Sequence, residues 1–288
     1  MNTISFLPEL KTLVLSISSI PEDDWEMDNR TGVSWTNFQD IAVGFISLAY
    51  LDIRTTPPAL LILLDAIPSN QLSGLVFTLE NSTGENETSA ETALQQVSVM
   101  FPKLAVKQPS IKSLSFTWSR GHFPVERENN DVHRWRSAFE TLFSMSSLAK
   151  LTYHFPLLLD EQLVKEMAEA WSEMTDLRIT SGDDSVYIST LSHFALNCPH
   201  LEVLDVPFIP FVLGDAPCDC SGLFAHPLKT LVAPYTDPEN PEMTAKQLTR
   251  MFPYVGVIRR EYTISPAWKE VQRILETDRV EKDTEPGV

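Results

Sequence analysis

Along its second half, the 288-residue chain repeats one short apolar frame at nearly constant spacing. The frame, apolar-x-x-apolar-x-apolar, is read at Leu148/Leu151/Tyr153, Met174/Leu177/Ile179, Leu201/Leu204/Val206 and Leu228/Leu231/Ala233. A weaker copy at Val255/Ile258 has Arg260 in its third place. The starts, at 148, 174, 201, 228 and 255, lie 26 or 27 residues apart. A steady period of this size marks a chain folded as stacked copies of one small unit, since no copy can bury its apolar flanks alone. The period-two ending of the frame is a strand, and the spacing pattern is that of a leucine-rich repeat.

Upstream, the frame recurs at Ile111/Leu114/Phe116, Leu72/Leu75/Phe77, Leu48/Leu51/Ile53 and Leu10/Leu13/Leu15. There the intervals are irregular, because the starts at 10, 48, 72, 111 and 148 are 38, 24, 39 and 37 residues apart. Between frames, apolar stripes at helical spacing predict a return helix. After Asp160, a natural N-cap, come Leu163, Val164, Met167 and Trp171; after Ser189 come Leu191, Phe194, Ala195 and Cys198; after Thr244 come Ala245, Leu248, Met251 and Phe252. Pro199 and Pro253 close two of these helices. The residue three before a frame start is Met145, Trp171, Cys198, Ala225 or Phe252, always apolar, so Cys198 is expected to be a small core residue. These features predict an α/β leucine-rich-repeat solenoid (horseshoe) with parallel inner strands and outer helices. It comprises about nine irregular repeats over 1–279, and the polar tail 280–288 is expected to be disordered.

Composition narrows what such a chain can do. A net charge of −17 argues against nucleic acid and anionic membrane as primary partners; it either keeps a large solenoid soluble or favours a protein partner with a basic patch. No apolar run is long enough to span a bilayer, and Glu9 and Lys11 interrupt the apolar start, which lacks the basic segment of a secretory signal. Three cysteines, an odd number in a long chain, point to a reducing compartment, cytoplasmic or nuclear.

Chemistry-bearing motifs are missing. No phosphate-binding glycine loop, zinc-protease helix, nucleophile elbow or calcium loop is present, and no nucleophile, base and orienting group can be assembled. The expectation is therefore no catalysis, no cofactor and no metal. The alternative is a metal-dependent hydrolase using the Cys/His segment 193–226, where His193, Cys198, His200, Cys218, Cys220 and His226 are gathered.

Two places are candidates for binding residues. Segments 21–34, 80–90 and 119–132 lengthen the first repeats at equivalent positions, after a strand and before a helix, and so share one rim. Their charges of −4, −3 and −1 make the rim acidic, and Trp25, Trp118, His122 and Phe123 supply aromatic anchors in or beside it. This rim, rather than the regular second half, is the expected binding site; the alternative, should the rim be only a solvated edge, is the concave strand face around His154, Arg178 and Asp205. The row Trp118, Phe155, Phe208, Tyr235 and Tyr262 shares the side of the leucines and is expected at the edge of the core.

Three stretches carry a family likeness: NCPHLEVLDV (197–206), HPLKTLVAPY (226–235), and the ending LTRMFPYVGVI (248–258) with SPAWKEVQRIL (265–275), where Trp268 opens a final helix. In these the chain resembles the leucine-rich-repeat region of the F-box proteins of mushroom-forming (basidiomycete) fungi. The resemblance implies the substrate-recognition part of an F-box-like ubiquitin-ligase receptor, in which the F-box holds the adaptor of a cullin–RING ligase and the repeats hold the substrate. The F-box itself is not visible: Leu7-Pro8 lies too close to Leu10 to belong to a three-helix module. An N-terminally shortened relative is expected, recruiting the adaptor only if an F-box lies upstream in the full gene. The alternative within this class is a free repeat module unconnected with ubiquitination.

Overall fold

The computed structural model describes residues 10–16, 47–55, 57–79, 90–118, 129–155, 157, 159–180, 185–210, 226–234, 236–259 and 265–284. The chain divides into two compact units, Met1–Leu148 with Thr152–Leu157, and Ala149–Leu151 with Leu158–Val288. Both are mixed α/β with an open, parallel sheet.

In the first unit, strands β1 (Thr12–Ser16), β2 (Tyr50–Thr55), β3 (Gly74–Leu79) and β4 (Ser113–Trp118) pair in that order. Helices α1 (Pro57–Ala66), α2 (Ala90–Lys107) and α3 (Asn129–Glu140) alternate with them, and a 3-10 turn spans Thr141–Ser144. Strand β5 (Lys150–Tyr153) is divided between the units. The second unit runs α4 (Glu161–Ala170), β6 (Asp176–Ile179), β7 (Val186–Tyr187), α5 (Ser192–Asn197), β8 (Val203–Asp205) and β9 (Phe208–Ile209). It continues with β10 (Thr230–Val232), α6 (Pro241–Met251), β11 (Val257–Arg259) and α7 (Pro266–Thr284). There β6, β8, β10 and β11 form the parallel sheet, and β7 pairs separately with β9.

Every apolar frame leads into a strand, and paired strands match frame to frame. Leu13 stands opposite Leu51, Leu51 opposite Leu75, and Leu75 opposite Leu114. Leu177, Leu204 and Leu231 are likewise in register. Leu51, Leu75, Leu177, Leu204 and Leu231 are fully buried. The register is held by one recurring device, a carbonyl that accepts two successive N–H groups of the next strand. In the first unit Lys11 O takes the N–H groups of Ala49 and Tyr50, Ala49 O those of Ser73 and Gly74, and Ser73 O those of Lys112 and Ser113. In the second, Ala149 O serves Thr175 and Asp176, Thr175 O serves Glu202 and Val203, and Glu202 O serves Lys229 and Thr230.

The turn into each strand is also repeated. The N–H groups of Met174, Leu201 and Val255 donate to the carbonyls three residues earlier, those of Trp171, Cys198 and Phe252, each at 3.1 Å. Those three residues in turn cap the ends of their helices through N–H bonds to Met167, Phe194 and Leu248. They are at most 1 % exposed, which explains why the slot is apolar. In the first unit the slot before Ile111 holds a polar residue, Gln108, which is fully buried. Its Oε1 accepts the N–H groups of Gln71 (3.0 Å) and Leu72 (3.1 Å), and its Nε2 donates to Pro68 O at 2.9 Å. A polar side chain is tolerated there because it satisfies main-chain groups of the preceding turn.

Helix starts follow side-chain capping. Asp160 accepts from Leu163 N at 2.7 Å at the head of α4, as the sequence predicts. Helix α6 starts earlier than read from Thr244: Asn240 is its N-cap, Pro241 opens it, and Thr244 lies buried inside. Helix α2 begins at Ala90 and α3 at Asn129, taking the last residues of segments read as loops. Helix α7 runs on to Thr284, so 280–284 is helical rather than disordered. Glu270–Arg273 and Gln272–Glu276 side-chain pairs brace that helix, and polar composition alone did not reveal them. Phe155 and Phe208 are buried, as strand alternation predicts. Among the described residues no helix is long and apolar enough to cross a membrane.

Two local conflicts yield predictions. The Tyr153 ring is fully buried against Phe101, Phe139 and Phe155, and its hydroxyl has no hydrogen-bond partner among the described residues. Burial drives its ionisation far above the usual tyrosine range. Tyr153→Phe should therefore raise unfolding free energy by about 1 kcal/mol, read in a urea titration. A Cβ on Gly74 would lie 2.6 Å from Tyr50 Cδ2, so the glycine leaves room for the ring edge. Gly74→Ala should cost about 1–3 kcal/mol, and in a double-mutant cycle Tyr50→Ala should remove most of that cost.

Candidate interaction surface

Strand alternation sends the residues between the buried leucines to the other side of each sheet. In the first unit the registered rows there are Thr12, Tyr50, Gly74 and Ser113, then Val14, Asp52, Val76 and Ser115. A third row holds Arg54, Thr78 and Thr117, with the two threonine hydroxyls 2.9 Å apart. This side is small and hydroxyl-rich, and Val14 is 68 % exposed.

The second unit carries charge on the equivalent side. Arg178 donates from Nε to Asp176 Oδ1 at 2.8 Å and from Nη2 to Asp176 Oδ2 at 3.2 Å, a two-pronged pair on one strand. Asp205 stands in register with Arg178 on the adjacent strand. The bond from Asp176, with the charges of Asp176 and Asp205, raises the guanidinium above its ordinary value against a smaller effect of burial. The Arg178 side chain is 47 % exposed, so the pair contributes only about 0–1 kcal/mol to stability. Its effect is to fix the direction of the guanidinium on a rigid sheet. Lys229 and Glu202, at 2.9 Å, add an exposed pair at the mouth of β8 and β10.

Of the residues expected to bind, Arg178 and Asp205 are thus brought together. Asp176 was missed, although its place two residues before Arg178 puts it on the same side of the strand. His154 is exposed and belongs to the first unit, where its main-chain N–H donates to Phe116 O at 3.0 Å. Trp118 ends β4 opposite Leu79, but its side chain, together with Trp25, His122 and Phe123, lies outside the described residues. So do segments 21–34 and 119–128 of the acidic rim.

The Cys/His segment is engaged otherwise. The Cys198 thiol is buried, lies 3.6 Å from the carbonyls of both Ala168 and Trp171, and is pushed up to about 12 by burial. Both ring nitrogens of His226 are bonded to main chain, to Cys198 O at 3.0 Å and Leu228 N at 3.2 Å. A metal on either residue would have to displace these bonds. His193 Nε2 is 3.8 Å from Glu161 Oε1, and His200 is exposed. Cys218 and Cys220 lie outside the described residues. Among the described residues no group of His, Cys, Asp and Glu is placed to hold a metal.

In comparison with known proteins, the sequence matches no family model and no curated protein.

The state of Cys198 is directly testable. With its thiol held up to about 12, almost none is thiolate at pH 8. Alkylation of the native protein at that pH, mapped by peptide mass spectrometry, should leave Cys198 unmodified, and denaturation should expose it to full labelling.

Proposed function

We propose that this chain is a non-catalytic leucine-rich-repeat recognition module that binds a protein partner through the solvent side of its parallel sheet. The α/β solenoid reading is supported by the recurrence of frame and strand along the chain, with the two-pronged carbonyl and the helix-capping turn at several of the repeats. Repeats of this kind present a row of strand residues whose identity is free of packing constraints, so recognition is written there. The observation that carries the site is the Asp176–Arg178–Asp205 array. A guanidinium oriented by one carboxylate and flanked by another is a preorganised, partly desolvated polar contact, the type that fixes partner register. The acidic chain, at −17, favours a partner with a basic patch and disfavours nucleic acid and anionic membrane.

In the form implied by the resemblance, the module is the substrate-recognition part of an F-box-like ubiquitin-ligase receptor acting in the cytoplasm or nucleus. Affinity purification from the native cell separates this from a free binding module, because only the former co-purifies a cullin–RING adaptor. For the site itself, the partner recovered with the wild-type chain should bind Arg178→Ala and Asp205→Ala about tenfold more weakly, near 1.4 kcal/mol. Thermal stability of both variants should stay within about 0.5 kcal/mol of the wild type. Full affinity in both variants would move the site off this sheet and onto the aromatic rim of Trp25, Trp118, His122 and Phe123.

A further inference from the structure

We propose that His226 is an acid-released latch joining the start of β10 to the turn after α5. The ring is 4 % exposed and meets Phe252 edge to face, with centroids 5.0 Å apart. Nδ1 accepts the main-chain N–H of Leu228, which places the ring proton on Nε2, and Nε2–H donates to Cys198 O. One neutral imidazole therefore ties the main-chain carbonyl of Cys198, 28 residues before it, to the main-chain N–H of Leu228, two residues after it. Two residues after Leu228 begins β10, whose Thr230 N–H, with that of Lys229, completes the fork on Glu202 O. The latch thus stands directly ahead of the bonds that register β10 on β8.

Protonation cannot be absorbed in this arrangement. A hydrogen added to Nδ1 would face the N–H of Leu228, donor against donor, and the imidazolium would be buried. Burial lowers the ring's affinity for a proton below the ordinary histidine value, outweighing the carbonyls of Cys198 and Phe194, which favour the charged form. Titratable groups on the surrounding elements are His193 on α5, His200 in the turn, the Glu202–Lys229 pair, and Lys246 and Arg250 on α6. Among the described residues the influences on the ring are burial and the two carbonyls alone.

The sign follows from the depressed value. The closed latch is fully stable above the ordinary histidine value of 6.5 and weakens as pH falls toward the value in the folded protein. Opening takes up one proton, so within that window the opening constant rises up to about tenfold per pH unit. The proposal is independent of the binding reading above.

Amide hydrogen exchange by NMR between pH 7.5 and 5, corrected for intrinsic exchange, tests it on the full chain. In the wild type, protection of the Leu228 and Leu231 amides should fall with pH by up to about tenfold per unit below 6.5. That of Leu177 should hold. His226→Gln, whose amide supplies a donor and an acceptor but does not titrate, should keep Leu228 protection level. Level protection in the wild type, or an equal fall in His226→Gln, overturns the latch. Should that variant fail to fold, the wild-type ring 15N shifts decide. Protonation of Nδ1 coincident with loss of Leu228 protection supports the latch, and protonation with Leu228 still protected overturns it.

Discussion

The two-pronged carbonyl at the entrance to β2, β3, β4, β6, β8 and β10 is the constraint on which the rest depends. By taking two successive N–H groups from the following strand, Ala49 O or Thr175 O fixes where that strand begins to within one residue. A slip of a single residue would turn every leucine of the strand to solvent, because side chains alternate sides. With the entrance fixed, the apolar frame has only one side to bury, and the helix that follows must return over it. The side left over is set just as firmly, which is why Asp176, Arg178 and Asp205 come to stand together.

Buried polar groups reinforce this at places where the main chain alone leaves bonds unmet. Gln108 serves two N–H groups and a carbonyl of the turn one repeat earlier, and His226 serves a carbonyl of the earlier turn and the N–H of Leu228 in its own. Both stand just ahead of a strand, and both reach back to the equivalent turn of the preceding copy.

Much of the strand layout was legible in the sequence because burial there obeys a simple period. The frames at 10, 48, 72, 111, 148, 174, 201, 228 and 255 each lead into a strand, and the apolar slot before the regular ones proved to be a helix end. The start of α6 was misread because Thr244 has the composition of a cap while Asn240-Pro241, four residues earlier, has the better geometry for one. The end of α7 was misread because a mostly polar composition does not by itself distinguish a helix end from a disordered tail. On the solvent side of the sheet, strand position alone places Arg178 and Asp205 on neighbouring strands, and there they stand in register. Asp176 was missed, since pairing within one strand leaves no trace in the repeat spacing. The engagement of Cys198 and His226 with main-chain groups could not be read from residue type, which shows only that thiols and imidazoles are near in sequence.

Tyr50 and Gly74 constrain how such a sequence can drift. The ring edge of one occupies the space where a side chain on the other would stand. The first can shrink at any time, whereas the second can acquire a Cβ comfortably only after the first has shrunk. Changes at the two positions therefore have an order, and a lineage that keeps the tyrosine keeps the glycine with it. Among descendants of this chain, a larger residue at 74 would be a record that the aromatic at 50 had already gone.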